Sequence, residues 1–388
     1  MPTETAARPA LTTLTEEEIM FRDAIRDFAE GEIRPISQQM EEAGRYDETV
    51  FPKLFEMGVM AVDVPEEYGG AGGNFFQSIL AVEEISRVDA AVGVLVDVQN
   101  TLFNNSITIF GNPEQKKRFL SRIATDTVGA YALSEAGSGS DAFALACKAE
   151  PKGDGWVLNG QKLWITSAAE AGLFVVFATV DRSKGYKGIT AFVVDKNDPG
   201  IRLGKRENKL GIRASSTCEV ILDNCEIPGD RLLGELGKGY KIAIEILNEG
   251  RIGIGAQMIG VGRAALEAAC NFANEREQFG KKIAEFQGLQ FQIAECATRL
   301  EAAKLMVYNA ARLRDAGEPF VKEAAMCKLY SSEAAEFIAS MSVDLLGGYG
   351  YTKEYPAERY YRDCKIGKIY EGTSNMQLQT IAKIVLAD

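Results

Sequence analysis

The chain has 388 residues, 46% hydrophobic and 25% charged, a globular composition at a length that predicts two or three domains. A net charge of −12 excludes a broad nucleic-acid or anionic-membrane surface, though a few Arg side chains and helix N-termini can still build a local anion site. Histidine is absent, which removes Ser-His-Asp and Cys-His catalysis, imidazole acid–base chemistry and His-ligated metal sites, so acid–base work falls to Glu, Asp, Lys, Tyr or Cys and no metal is expected.

Met1 to Thr15 is rich in Ala and Thr with Arg8 as its only base, and has neither a secretory nor a transit pattern. It reads as a short leader on a cytoplasmic protein, or on a mitochondrial-matrix protein if the chain is a processed eukaryotic one. No apolar run approaches the ~20 residues that span a bilayer, so no membrane insertion is expected. Thr15 and Glu18 form a capping-box pattern ahead of Phe21, Ile25 and Phe28 on one helical face, and Pro35 should bend or end that helix. Gly-rich Tyr68–Asn74 precedes a helical pattern through Phe76, Ile79 and Leu80; another helix follows Asp89, and Pro113 suits a first helical residue after Gly111.

From Gly129 the pattern changes to short β-type runs, including Ala130–Leu133, Trp156–Leu158, Leu173–Thr179, Ile189–Val194 and Cys218–Leu222, separated by turn residues such as Asn159-Gly160. Near Gly239 helical periodicity returns, with Ile293, Cys296, Leu300, Ala303 and Val307 on one stripe. These shifts predict an α+β chain with a helical domain over 1–127, an antiparallel β-barrel or sandwich over 128–238, and a helical domain over 239–388. The seven cysteines, Cys147, Cys218, Cys225, Cys270, Cys296, Cys327 and Cys364, include no C-x-x-C pair and read as reduced thiols. No G-x-G-x-x-G follows a strand, so a Rossmann site is unsupported.

Four segments carry candidate chemistry. Tyr131–Asp141 is a strand running into a Gly-Ser-Gly turn; Leu133 and Ser134 can hydrogen-bond a flat heterocycle and the turn N–H groups suit a phosphate or amide chain, but an ordinary β-to-loop turn has the same composition. Trp164-Ile-Thr-Ser167 reads as a strand with an aromatic cover. Arg276–Lys281, with Phe286–Gln290, offers a helix-end Arg that is either solvated or anion-binding. Ile369–Asn375 places Glu371 before Gly372, where it is a base, a turn residue or a cap.

In this order and spacing the four segments resemble the acyl-CoA dehydrogenase family, from about Thr15 to the C-terminus. Gly185–Thr190, Glu207–Cys218 and Asn248–Ile254 bring the chain closest to its short/branched-chain members. The resemblance implies a helical domain, a β domain and a C-terminal four-helix bundle, assembled as a homotetramer (a dimer of dimers) that binds FAD and oxidises an acyl-CoA. It assigns Leu133 and Ser134 to the flavin's pyrimidine edge, Trp164 to its shield and Thr166 to its reactive N5, and places Tyr131 in the same cofactor site. Arg276, Gln278 and Phe279 would hold the FAD pyrophosphate and adenine of a neighbouring subunit, with Gly347, Gly348, Thr373 and Asn375 completing the cofactor site. Ser140, Asn248, Arg251 and Gly372 fall to the substrate, and electrons would pass to an electron-transfer flavoprotein.

Removing an α-proton from a thioester needs a base, and burial against apolar surroundings raises a carboxylate's pKa toward that task. Glu371 occupies one of the two positions where this family carries its base; the other falls on Gly250, ahead of Arg251, and cannot serve. Arg87-Val-Asp89 is shared with glutaryl-CoA dehydrogenases, but the position of their carboxylate-binding Arg falls on Gly93, which favours an uncharged short acyl chain. Asp344 stands where relatives carry a Gln and is left out of the site. Leu95, Val96 and Leu102 are either pocket lining or core. The competing readings are an oxygen-reactive flavin oxidase or monooxygenase of the same fold, and a non-catalytic scaffold.

Overall fold

A capping box opens the helical region of the computed structural model, which describes residues 10–387. The Thr15 N–H donates to Glu18 Oε2 (2.9 Å) and the Glu18 N–H to Thr15 Oγ1 (3.2 Å), starting α1 (Glu16–Phe28). The leader expectation over Met1–Thr15 lies outside the described residues as far as residue 9. Pro35 does not end the helical path. The backbone widens into a π turn over Ala29–Ile33 and resumes as α2 (Arg34–Ala43), with Pro35 in the first turn, where a missing N–H is tolerated.

Four further regular helices complete this region before the last one reaches the sheet: α3 (Val50–Glu56), α4 (Phe75–Val88), α5 (Ala90–Asp97) and α6 (Asn105–Phe110). Asp89 caps α5 by accepting from the Ala91 and Val92 N–H groups, and α7 (Pro113–Thr125) begins with Pro113 behind an Asn112 capping box.

The strands are β1 (Val128–Ala132), β2 (Lys148–Lys152), β3 (Gly155–Thr166), β4 (Ala171–Thr179), β5 (Ile189–Asp195), β6 (Ile201–Arg206), β7 (Thr217–Pro228) and β8 (Leu232–Leu233). They form one sheet in the order β6-β7-β3-β2-β4-β5-β8, with β1 beside β4. Most pairings are antiparallel as expected, but the sheet is mixed: β1 runs parallel to β4, pairing Tyr131 with Val175, and β2 meets β4 in parallel at Lys148 and Thr179. Intervening β2 and β3 provide the long connection that a parallel pair requires, and hairpin signals cannot reveal that partner order.

Every residue of β4 is buried because both faces of this strand are covered. Phe174, Val176 and Ala178 face a core within the sheet region, with Leu158 and Val220. Leu173, Val175 and Phe177 face the helices and join one large core with Ile79, Val92, Ile254, Val307 and Ala324.

The last region opens with α8 (Gly239–Glu275), a 37-residue helix about 55 Å long at ~1.5 Å per residue. A small hairpin of β9 (Glu277–Gln278) and β10 (Lys281–Lys282) leads to α9 (Gln287–Asp315) and α10 (Val321–Leu346). A turn over Gly347–Tyr351 precedes α11 (Ala357–Cys364) and α12 (Ser374–Val385). Residues from all three regions share the large core, so groups at their junction are held by common packing.

Candidate active site

Glu371 lies in the short link before α12, with left-handed backbone at φ 52° followed by Gly372 at φ 89°. A non-glycine residue is disfavoured in that region and persists only where its surroundings hold it. The holding contacts are present: Gln377 Nε2 donates to the carbonyls of Glu371 (3.1 Å) and Gly372 (2.9 Å), and Lys328 Nζ donates to the Gly372 carbonyl (2.7 Å). Glu371 as a residue is half-buried, but its carboxylate Oε2 is sealed from solvent and has no hydrogen-bond partner.

Burial pushes the Glu371 carboxyl up to about 7, against the opposing pull of the Arg251 and Lys328 charges. Arg251, from α8, donates to Asn248 Oδ1 at 2.8 Å, while its buried Nε has no partner. Gly250 forms the wall beside the base: a Cβ there would lie 3.0 Å from Glu371 Oε2 and 2.8 Å from Leu102 Cδ2. Leu102 is therefore at the site, and like Leu95 and Val96 it is buried in the large core. Asp97, on α5, accepts from Thr101 Oγ1 at 2.9 Å, and burial, aided by the Glu371 charge, holds its carboxyl well above the usual range. Its other oxygen is buried without a partner. Gly93, one turn earlier, has no room for a side chain, since Ser86 Oγ would lie 2.0 Å from its Cβ.

From the sheet, Tyr131 brings a buried, unpartnered hydroxyl whose proton affinity is raised by burial and by the Glu371 charge. Just beyond β1, the Leu133 and Ser134 carbonyls are taken by Lys162 Nζ (3.0 Å) and the Leu163 N–H (2.9 Å). The donors left for a ligand are thus the backbone N–H groups and the Ser134 hydroxyl. Ser140 is exposed on the following loop, where added Cβ atoms at Gly137 and Gly139 would meet only open space.

Trp164 sits at a register shift between β3 and β7, with φ 62°, and is 60% exposed. Such bulges re-aim side chains, and this one turns a large aromatic out of the sheet two residues before Thr166. Among the described residues six non-glycine residues have left-handed backbone, and three of them, Trp164, Phe279 and Glu371, are candidates from the sequence.

Beneath this edge Lys162 is wholly buried and pairs with Glu135 (2.7 Å), which also accepts from the Ala146 and Cys147 N–H groups. Lys162→Met leaves Glu135 without its cation and is expected to cost about 3–5 kcal/mol of stability and to weaken cofactor retention. Urea unfolding and flavin absorbance of the purified variant check this; a loss under about 1 kcal/mol would show that the pair does not hold the strand.

A second cluster lies at the far end of α8. Arg276 stacks over the Tyr349 ring, 5.5 Å from its centroid, and makes no ion pair among the described residues. Tyr349 belongs to the turn of Gly347 and Gly348, where an added Cβ would meet nothing within 4 Å. Gln278 is exposed on the adjoining hairpin, and Phe279 is 94% exposed. Thr373 caps α12 and Asn375 is exposed in its first turn, immediately after the base.

Lys328, Asp97, Gln377 and the Lys162–Glu135 pair were missed by motif reasoning. A signal existed for Lys328, a lone cation on the small-residue stripe Ala324, Ser331 and Ala335, and for Asp97, a lone acid ending the apolar run Ala90–Val96.

An exposed aromatic at a strained bulge and a loop with its carbonyls occupied, near a sealed carboxyl, together with a separate cluster of open glycines and an Arg without an ion pair among the described residues, fit the two ends of a flavin dinucleotide. These features define a flavin-dependent oxidoreductase. The chain matches the acyl-CoA dehydrogenase N-terminal domain over residues 15–127, the middle domain over 130–225 and the C-terminal domain over 237–386. It belongs to the acyl-CoA dehydrogenase family and is an FAD-dependent oxidoreductase. It is 55% identical to a probable short/branched chain specific acyl-CoA dehydrogenase of Dictyostelium discoideum, across 97% of this chain and 91% of that one. Among solved structures, butyryl-CoA dehydrogenase from Megasphaera elsdenii superposes with a TM-score of 0.95 at 38% identity, covering 96% of this chain and 99% of that one. A chain from a structure of the electron transferring flavoprotein of Acidaminococcus fermentans gives a TM-score of 0.96 at 43% identity, covering 97% and 100%.

Proposed function

We propose that this protein dehydrogenates a short or short-branched acyl-CoA to its 2,3-enoyl form, with Glu371 as the base that removes the α-proton. The observation that carries this is the sealed, unpartnered Glu371 Oε2 on a carboxyl raised to about 7. Such a carboxylate is basic enough to accept a carbon-bound proton near neutral pH and has no internal partner to give up first. Arg251 and Lys328 keep the carboxylate form accessible despite its burial. FAD, when bound, accepts the hydrogen of the β-carbon as hydride. Tyr131, Leu133, Ser134, Trp164, Thr166, Thr373 and Asn375 hold the flavin end, and Ser140, Asn248, Arg251 and Gly372 the substrate. The blocked space at Gly93 and the buried acid Asp97 oppose an acyl chain with a second carboxylate.

The outward-facing Phe279, Phe291 and Leu378 and the unpaired Arg276 support a homotetramer whose Arg276, Gln278, Phe279, Gly347 and Gly348 complete a neighbour's FAD site. Electron-transfer flavoprotein is the acceptor this reading assigns. The deciding experiment mixes holoenzyme anaerobically with butyryl-CoA or 2-methylbutyryl-CoA. Rapid bleaching of the flavin, followed by slow reoxidation in air, is expected; fast peroxide formation favours the oxidase reading, and greatest activity on glutaryl-CoA or long chains refutes the substrate class.

Glu371 must be ionised to take the proton, so kcat/KM should fall as pH drops through its folded pKa. The expected acid limb has its midpoint near pH 7, set by the carboxyl at about 7, with activity falling about tenfold per unit below it. A profile flat to pH 5 would contradict this basicity.

A further inference from the structure

Lys328 is fully buried in the middle of α10, among Ala324, Ala325, Cys327 and Ser331. Its ammonium donates one hydrogen bond, 2.7 Å to the carbonyl of Gly372, and among the described residues no carboxylate lies within 4.0 Å of it. A buried ammonium without a contacting counter-ion is costly, and an apolar side chain would fill the same space without that penalty. What the ammonium touches is the one backbone turn that must keep Glu371 in left-handed conformation.

We propose that Lys328 is a positioning residue for the reaction: it pins the Gly372 carbonyl, so holding the Glu371 carboxyl against Gly250, and its charge faces that carboxyl from the side opposite solvent. This rests on the reading of Glu371 as the base.

The turn is clamped from two elements. Gln377 on α12 provides the neutral half, through both carbonyls, and Lys328 on α10 the charged half. Among the described residues, the titratable and charged groups that act on Glu371 are Arg251 from α8, Asp97 from α5, Tyr131 from β1, Tyr370 next to it in sequence and Lys328 from α10, with Cys327 of α10 beside Arg251. Only Arg251 and Lys328 are cations. Asp97, Tyr131, Tyr370 and Cys327 are held in their neutral forms by burial, so none replaces a lost positive charge. Burial, and then repulsion from Arg251, bring the Lys328 ammonium down to about 8, with Glu371 acting against them. Lys328 therefore still carries its charge where the base begins to ionise.

The two halves of the clamp separate by experiment. Lys328→Met removes the pin and the charge; kcat at pH 7 should fall at least about tenfold, and the acid limb of kcat/KM should move up by about one pH unit, because an uncompensated carboxylate is harder to ionise. Gln377→Leu removes only neutral hydrogen bonds, so kcat should fall while the acid limb stays. FAD absorbance and Tm confirm folded holoenzyme in each, and Lys328→Gln replaces the methionine variant if that one does not fold. An acid limb that coincides with wild type in the neutral Lys328 variants, at undiminished kcat, overturns the proposal. Glu371→Gln is run alongside: if it is inactive, an unmoved limb counts against Lys328 alone, and if it turns over normally the base assignment itself fails.

Discussion

Glu371→Gln is expected to keep its yellow cofactor and to lose about 10²–10⁴-fold in kcat, the range that positioned acid–base groups supply. The substitution is nearly isosteric, so Gly372 should still be held by Lys328 and Gln377, whose bonds run to backbone carbonyls and do not involve the side chain. An amide cannot accept the α-proton, and among the described residues no other ionised carboxylate contacts this site to replace it. Asp97 is the nearest rival, but its pKa is raised well above the normal range by burial and by Glu371, which makes it a neutral acid. Stopped-flow bleaching with butyryl-CoA measures the loss directly. Turnover near wild type would remove Glu371 from the chemistry, and rescue through Asp97 would appear as an acid limb moved to higher pH.

Gly250→Ala is expected to lower kcat by about 10²-fold, the scale associated with misplacing a reacting group by roughly an ångström. The added methyl would begin 2.8 Å from Leu102 Cδ2, closer than carbon contacts allow, and 3.0 Å from Glu371 Oε2, a tight contact. Leu102 and the carboxyl must move apart, and the carboxyl has the strained backbone of residue 371 behind it. Alanine favours helix over glycine, so α8 itself should be no less stable, and the defect should lie in catalysis with Tm little changed. The same bleaching assay, with FAD content and Tm measured beside it, checks this. A normal rate would mean that the Glu371 carboxyl has more room than its neighbours show.

Particular residues show where sequence reasoning reached and where it stopped. Signals at Thr15, Asp89 and Pro113 marked helix starts because they act within one turn. The runs of β-branched and aromatic residues marked strands for a similar reason. The parallel pairing of β1 with β4 was invisible, since it depends on which distant strand lies alongside. Pro35 was read as a bend or an end of α1; the structure has α1 end at Phe28 in a π turn, after which the helical path continues as α2.

For the site, the absence of histidine left a carboxylate among the possible bases, and the family resemblance around Ile369–Asn375 pointed to Glu371. That carboxylate's basicity was not legible, because desolvation is a property of what surrounds a group. Arg251 comes from α8, Lys328 from α10, Asp97 from α5 and Tyr131 from β1, and only the shared core brings them together. Sequence by itself determined the helical–β–helical order, the family and the residue types available for proton transfer, because these follow from local pattern and chemical identity. Tertiary structure alone decided that Glu371 is sealed, strained and flanked by two cations, because burial and charge separation are set by distances between residues far apart in the chain.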